Sequence, residues 1–377
     1  MRNKHLLLVV IIAILSLFAM WLPFLLHTKS LFGVNFGSTG MDRIVSNFDG
    51  INFLIVAKSA YNPEIISNNY QDMLNGRKSL YFSAHYPGLP LVISFFDIFT
   101  TGPNALLASI ILSNILLAAS LYLFFEAITK DKKVALLLST IALFFPARML
   151  ATRIVGSNEP LFIFFVLTSL TAFLKNQRWL SAILGTLAVL TRSPGILLFG
   201  AYGLYYGFSR DEISTKIKNF YPYLLIPTAL LLLWTYYGFQ FGDFLAYFQV
   251  GGNINLYWPF AVFGSSMDWV SGIWNEDLIY LFFLISAGVI YFYKKIGWSP
   301  VSLFAIIYGI FVMSVAHRDL ARYSLPIMPM ILIGARQIFE QKYVKYICIL
   351  MLIPICLYTW QFVLGNYQPI IDWSRYL

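Results

Sequence analysis

Charge is what this sequence has least of. Only 11% of its 377 residues are charged, against 59% hydrophobic, and the mean hydropathy is +0.72. A soluble domain needs far more polar surface than that to cover its core, so composition leaves a polytopic membrane protein. Cysteine is nearly missing: Cys348 and Cys356 both lie in the last apolar run, which argues against a disulfide framework or a zinc-ligand spacing. No glycine-rich phosphate loop, paired-histidine zinc motif or Ser-His-Asp arrangement is evident, so nucleotide hydrolysis and metalloprotease chemistry find no support. The sequence also lacks internal repeats, low-complexity tracts and any segment with the composition of a soluble domain.

The net charge of +9 would suggest nucleic acid in a soluble protein. Here the charges sit in short loops, where they set topology, and no nucleic-acid partner is expected. The start, "MRNKHLLLVVIIAILSLFAMWLPFLL", has a basic flank and an apolar run without a small-residue cleavage site, the pattern of a retained signal anchor.

Apolar runs near the ~20 residues that span hydrocarbon fall at 6–26, 104–127, 134–151, 160–174, 179–191, 196–208, 220–238, 278–293, 299–316, 323–339 and 343–364. They predict an all-α fold of about eleven transmembrane helices in a single membrane domain, 1–377. The apolar stretch "YPGLPLVISFFDIF", 86–99, decides the topology. Laid in the interface rather than across the bilayer, it puts Arg2, Lys4, Lys130, Lys132, Lys133, Lys175, Arg178, Arg210, Lys216, Lys218, Lys294, Lys295, Arg336, Lys342 and Lys345 all on the cytoplasmic side. The N-terminus is then cytoplasmic, and two long segments, 27–103 and 239–277, face outward with the tail "GNYQPIIDWSRYL".

The outer helix ends carry Arg148, Arg153, Arg192, Arg318 and Arg322, with no lysine among them. Guanidinium forks bind phosphate bidentately and are less strongly hydrated than ammonium, so this set points to a phosphate-bearing ligand. The plainer reading makes them snorkelling anchors or partners of Glu159 and Asp319. Further polar clusters share that side: "MDRIVSNFDG" with Asp42 and Asp49, "AHYPG" with His85, "RIVGSNEP" with Ser157, Asn158 and Glu159, and "AHRDLARY" with His317 and Asp319. Each has an ordinary explanation as well. Asp49 fits an N-cap of "GINFLIVAKSAY", His85 a turn before Pro87, and Asn158 with Glu159 a helix start with Pro160 in its first turn. Gly50, Gly88, Gly156 and Gly195 stand beside these groups, where glycine permits close backbone approach.

In order and spacing, "FDGINFLIVAKSAY", "HYPGLPL", "SNEPLFIFFVLTSLTAFL" and "RWLSAILGTLAVLTRSPGILLF" resemble the GT-C glycosyltransferase superfamily, most nearly the PIG-V-like mannosyltransferases and their prokaryotic relatives. "RYSLPIMP", 322–329, resembles a later family segment more weakly. Phe48 stands where the family has Trp, and "HYPGLP" where it has a Phe-Pro-x-x-Pro form. The resemblance implies a multi-helix fold with interfacial helices in the first outer loop, and a polyprenyl- or dolichyl-phosphate sugar donor used on the non-cytoplasmic face. It places the catalytic acid at Asp49.

The residue chemistry agrees with that implication. Inverting transfer needs a carboxylate to take the proton of an acceptor hydroxyl; Asp49 is the candidate base and Asp42 the alternative. The leaving phosphate calls for preorganised cations; Arg192 and Arg322 are the first candidates, then Arg148, Arg153 and Arg318. His85, Asn158, Glu159 and His317 are candidate substrate contacts. No cofactor or metal is required on this reading; a divalent ion held by Asp42 and Asp49 is the alternative. The acceptor is a glycan, lipid or protein, and membrane lipid is the other partner. The membrane is the plasma membrane in a prokaryote or the endoplasmic reticulum in a eukaryote. The rival is a transporter or flippase of an anionic or lipid-linked solute, whose usual marks are repeats and midplane ionisable residues.

Overall fold

The computed structural model describes residues 2–74, 76–250, 255–264, 270–370 and 372–377. It is 76% helical. The paired strands among the described residues are two-residue pieces, Ser30–Leu31 with Val34–Asn35 and Asn255–Leu256 with Val315–Ala316. The chain is an all-α polytopic membrane protein. In hydrocarbon every backbone polar group must be satisfied within its own segment, and uninterrupted apolar runs meet that requirement as helices.

Each of the eleven predicted runs is helical or a series of short helices. Among the described residues, Lys4–Leu25, Gly102–Thr129, Ile213–Phe241, Gly272–Ile296 and Lys342–Gly365 are long and apolar enough to cross a bilayer alone. Lys132–Ala142 and Ala147–Arg153 pass the same test together but bend by 75°; Pro146, at the break, has no N–H with which to continue a helix. The other runs form shorter helices: Glu159–Leu174, Arg178–Thr191, Ile196–Gly207, Pro300–Met313 and the broken Leu320–Gly334. Polar motifs cut several of these short at one end, Asn158-Glu159-Pro160 before the first and Arg192-Ser193-Pro194 after the second.

Successive helices alternate between two ends of the bundle. One end gathers the lysine loops, where Arg336 lies 3.8 Å from Asp131 and Lys295 reaches the Ile333 carbonyl. The other gathers the arginine motifs and segment 27–103. That segment contributes the helices Gly50–Ser59, Pro63–Asn69 and Gly88–Asp97. Gly88–Asp97 packs on Gly102–Thr129 and leaves Leu91 and Phe95 exposed. Of segment 239–277, residues 251–254 and 265–269 lie outside the described residues, as does Ile371 of the tail.

Arg153 does not belong with the other arginines. It is fully buried, and its guanidinium donates to the carbonyls of Leu143 and Ala13, to Asn114 Oδ1 and to Ser16 Oγ. Those bonds tie the bent pair to the first helix and to Gly102–Thr129, and they take all but one of its N–H donors inside the bundle. The expectation that Arg153 belongs to the donor-binding set is corrected accordingly: its carbonyl partners claim the fork first. Replacing it by leucine orphans several buried acceptors at about 1–3 kcal/mol each. Arg153→Leu is therefore expected to lower unfolding stability by several kcal/mol, read by thermal melting in nanodiscs, while the protein that stays folded retains its activity.

Candidate functional site

The loop before Gly50–Ser59 meets the loop before Glu159–Leu174 through two glycines. A Cβ on Gly156 would collide with the Gly50 Cα, and one on Gly50 would sit 2.7 Å from the Val45 carbonyl oxygen. This contact, which requires glycine, sets Asp49 beside Ser157, Asn158 and Glu159.

Asp49 directly precedes its helix, but its side chain bonds no helix amide. The cap that the sequence suggests is present in position only. The carboxylate turns instead to Arg322, with Nη2 donating to Oδ2 at 3.1 Å, and Oδ1 lies 3.9 Å from His85 Nε2, too long for a hydrogen bond. Arg322 in turn bonds Glu159 through Nε, and Arg192 bonds the same Glu159 oxygen through Nη1. Ser157 Oγ donates to the other oxygen. Four of the groups thus form a ladder of alternating sign, Arg192, Glu159, Arg322 and Asp49, with the His85 ring beside its last member. Glu159 is 0% exposed and lies behind both guanidiniums. It is not the substrate contact expected from the sequence; occupied on both oxygens, it fixes the two forks.

Burial opposes the charge on Asp49, but His85 and Arg322 outweigh it and hold the carboxyl well below the usual carboxylate range. His317 accepts the Asp319 N–H on Nδ1 at 2.9 Å, which leaves Nε2 as the protonated nitrogen. Burial and the neighbouring Arg322 pull its pKa down to about 4. At neutral pH it is an uncharged hydrogen-bond donor.

Two cavities meet at Asp49. The first encloses about 180 Å3 and is lined by His85, Asn158, Arg192, Tyr247 and Tyr323, among others. The second, about 470 Å3, is lined by Phe48, Arg148, Arg318, Asp319, Phe362 and residues 366–368. Asp49, His317 and Arg322 line both. Through Tyr81 and Val250 the first cavity continues into a basin bearing Arg77 and Lys78.

The structure therefore brings Asp49, His85, Asn158, Arg192, His317 and Arg322 to one cavity, and Arg148 and Arg318 to its neighbour. Asn158 spends its amide on the Thr191 carbonyl at 3.0 Å, joining the two loops. Asp42 lines neither cavity; its carboxylate accepts the Gly40 N–H at 3.0 Å. The structure does not bring Asp42 to either cavity that Asp49 lines. Among the described residues no group of three or more metal-ligating His, Cys, Asp or Glu side chains occurs.

Sequence reasoning missed the backbone that holds Asp49. Phe48 has φ +59°, a left-handed conformation that is costly for an aromatic residue. The tail secures it: the Phe48 N–H donates to the Asn366 carbonyl at 3.0 Å, Gln368 Nε2 to the Phe48 carbonyl at 3.2 Å, and the Gln368 N–H to the Ser46 carbonyl at 2.8 Å. The Arg322 guanidinium lies 3.8 Å from the centre of the Phe48 ring. The only signal in the sequence was polar residues following the last apolar run.

Two solved structures share this architecture. Archaeal oligosaccharyltransferase AglB from Archaeoglobus fulgidus, in complex with an inhibitory peptide and a dolichol-phosphate, superimposes with a TM-score of 0.54 at 12% identity over 99% of this chain and 57% of its own. An Archaeoglobus fulgidus oligosaccharyltransferase tethered to an acceptor peptide gives 0.56 at 14% identity, over 99% and 56%. This chain shares the membrane-helical fold of these oligosaccharyltransferases. It spans somewhat more than half the length of either neighbour, so the likeness is one of fold. No protein-family model and no curated protein matches the sequence.

Proposed function

We propose that the protein is a membrane glycosyltransferase that moves a hexose from a polyprenyl- or dolichyl-phosphate sugar to an acceptor hydroxyl, with inversion. The observation that carries this reading is the ionised Asp49 at the junction of two cavities, paired with Arg322. Likeness in fold to an enzyme solved in complex with a dolichol-phosphate supports it. The motifs shared with PIG-V-like mannosyltransferases favour mannose as the first sugar to try. The lysine-rich end is assigned to the cytoplasm and the site to the outer or lumenal face.

In this reading the donor phosphate rests against Arg192 and Arg322 in the smaller cavity and the acceptor enters the larger one. The acceptor oxygen bonds to the anomeric carbon, its proton passes to Asp49, and the carbon–oxygen bond to phosphate breaks with the electron pair leaving on phosphate. A carboxylate of low pKa is a poor base while Arg322 grips it. As negative charge grows on the departing phosphate, Arg322 is drawn toward it and away from Asp49, and the base strengthens as its proton arrives. The two events share one guanidinium, whose fork bonds two partners at once.

A pH profile checks this coupling. Because kcat/KM reports the free enzyme, in which Asp49 is already ionised, it should show no acid limb between about pH 5 and 8. In Arg322→Gln one of the two lowering influences is gone, and the limb should move up toward that range. The reading as a whole is tested by supplying purified protein with polyprenyl-phosphate mannose, glucose or arabinose and an acceptor mixture, with mass analysis of products. Movement of an unaltered lipid-linked solute across sealed vesicles, with no new glycoside, would overturn it.

A further inference from the structure

The larger cavity has more positive than negative charge, and two of its three arginines are held by protein partners. Arg148 is held in place by Asp319, by the Tyr358 hydroxyl at 3.0 Å and by the face of Phe362, 4.0 Å from the ring centre. Arg322 is held by Asp49, Glu159 and the Phe48 ring. Arg318 differs from both. Its backbone is pinned by the indole N–H of Trp274, which donates to its carbonyl at 3.2 Å, but its exposed guanidinium has no side-chain partner among the described residues. Three guanidiniums thus face two carboxylates, Asp49 and Asp319, and His317 is neutral beside them.

The smaller cavity is balanced differently. Its Arg192 and Arg322 are matched one for one by Glu159 and Asp49. A donor phosphate there accounts for the arginines of that cavity and leaves Arg318 unexplained. A neutral acceptor hydroxyl needs no guanidinium of this kind beside it, one without a carboxylate partner among the described residues, whereas a carboxylate or phosphate gains a charge-assisted bidentate bond there.

We infer that the larger cavity binds an acceptor glycoside carrying an anionic group, a carboxylate or a phosphate, which Arg318 engages while an acceptor hydroxyl reaches Asp49. This rests on the transfer reading given above. It makes Arg318 a specificity-determining residue rather than a donor-phosphate ligand.

The test uses the full-length protein in nanodiscs and measures affinity for three probes by titration: methyl β-D-glucuronide, methyl β-D-glucoside 6-phosphate and methyl β-D-glucoside. At least one charged probe should bind about tenfold or more tightly than the neutral one; which of the two wins names the group. Arg318→Gln should erase that preference without changing affinity for the neutral glucoside, and Arg318→Lys should keep part of it. Arg318 is exposed, and unchanged melting of both variants verifies the fold. Equal affinity for charged and neutral probes in the unaltered protein overturns the inference, as does a preference that survives Arg318→Gln. Displacement of the bound glucuronide by polyprenyl phosphate also overturns it, because the cavity then holds the donor. Donor consumption is measured separately: a protein that consumes polyprenyl-phosphate sugar but shows no charge preference loses this inference alone, and one that never consumes any donor loses the transfer reading.

Discussion

Asp49→Asn is expected to reduce sugar transfer by about 10²–10⁴-fold, the range that a positioned general base contributes. The amide matches the carboxylate in size and still offers one oxygen to Arg322, so the loop and both cavities keep their shape. What it cannot do is accept a proton. The loss should fall on kcat, measured at saturating donor and acceptor, with donor binding held within a few-fold of the unaltered protein. The tail bonds that fix Phe48 involve backbone and Gln368, not the Asp49 side chain, so the melting temperature should change little. Turnover retained in Asp49→Asn would remove the carboxylate from the mechanism. Asp42→Asn is the internal control and should leave kcat near normal, since Asp42 faces its own turn.

Arg322→Lys is expected to cost about 10²–10³-fold in kcat, comparable to removing a preorganised donor that stabilises transition-state charge. The charge survives this change and the geometry does not. Arg322 reaches Glu159 with Nε and Asp49 with Nη2 while lying on the Phe48 face. A lysine ammonium is a point donor and cannot hold both carboxylates in that fork. It does keep a cation near the buried Glu159, so folding should be largely preserved. Arg322→Gln removes the charge and leaves Glu159 with Arg192 and Ser157, so it forfeits part of the roughly 3–5 kcal/mol that breaking a buried ion pair outright costs. Comparing kcat and melting temperature across the two variants separates loss of the fork, seen in both, from loss of the charge, which should also destabilise. Equal kcat in Arg322→Lys and the unaltered protein would show that the fork is not used.

Much of the site was legible in sequence because its residues are polar exceptions in an apolar chain. Asp49, His85, Arg192, His317 and Arg322 stand out for that reason, and the cavity collects them from four separate segments of the chain. Polarity alone does not distinguish a ligand from a brace. Arg153 and Glu159 are as conspicuous in sequence as Arg322, yet both are fully buried with every role taken by protein partners. Which buried charge faces a cavity depends on the direction a side chain takes from its helix end, and neighbours distant in sequence decide that. The capping role of Asp49 failed for the same reason, since Arg322, 273 positions away, competes for the carboxylate.

The sequence by itself determined that this chain lives in a membrane, that its apolar runs are helical, and that its lysine-rich short loops lie at the helix ends opposite Arg148, Arg192, Arg318 and Arg322. Those properties follow from local composition, because lipid leaves an apolar run no alternative to helix and loops carry the charge. Only the tertiary structure decided the glycine contact that seats Asp49, the two cavities that meet there, and the tail that holds Phe48 at positive φ. Each of these joins segments between about one hundred and more than three hundred residues apart, and no local pattern encodes a contact whose partner lies elsewhere in the chain.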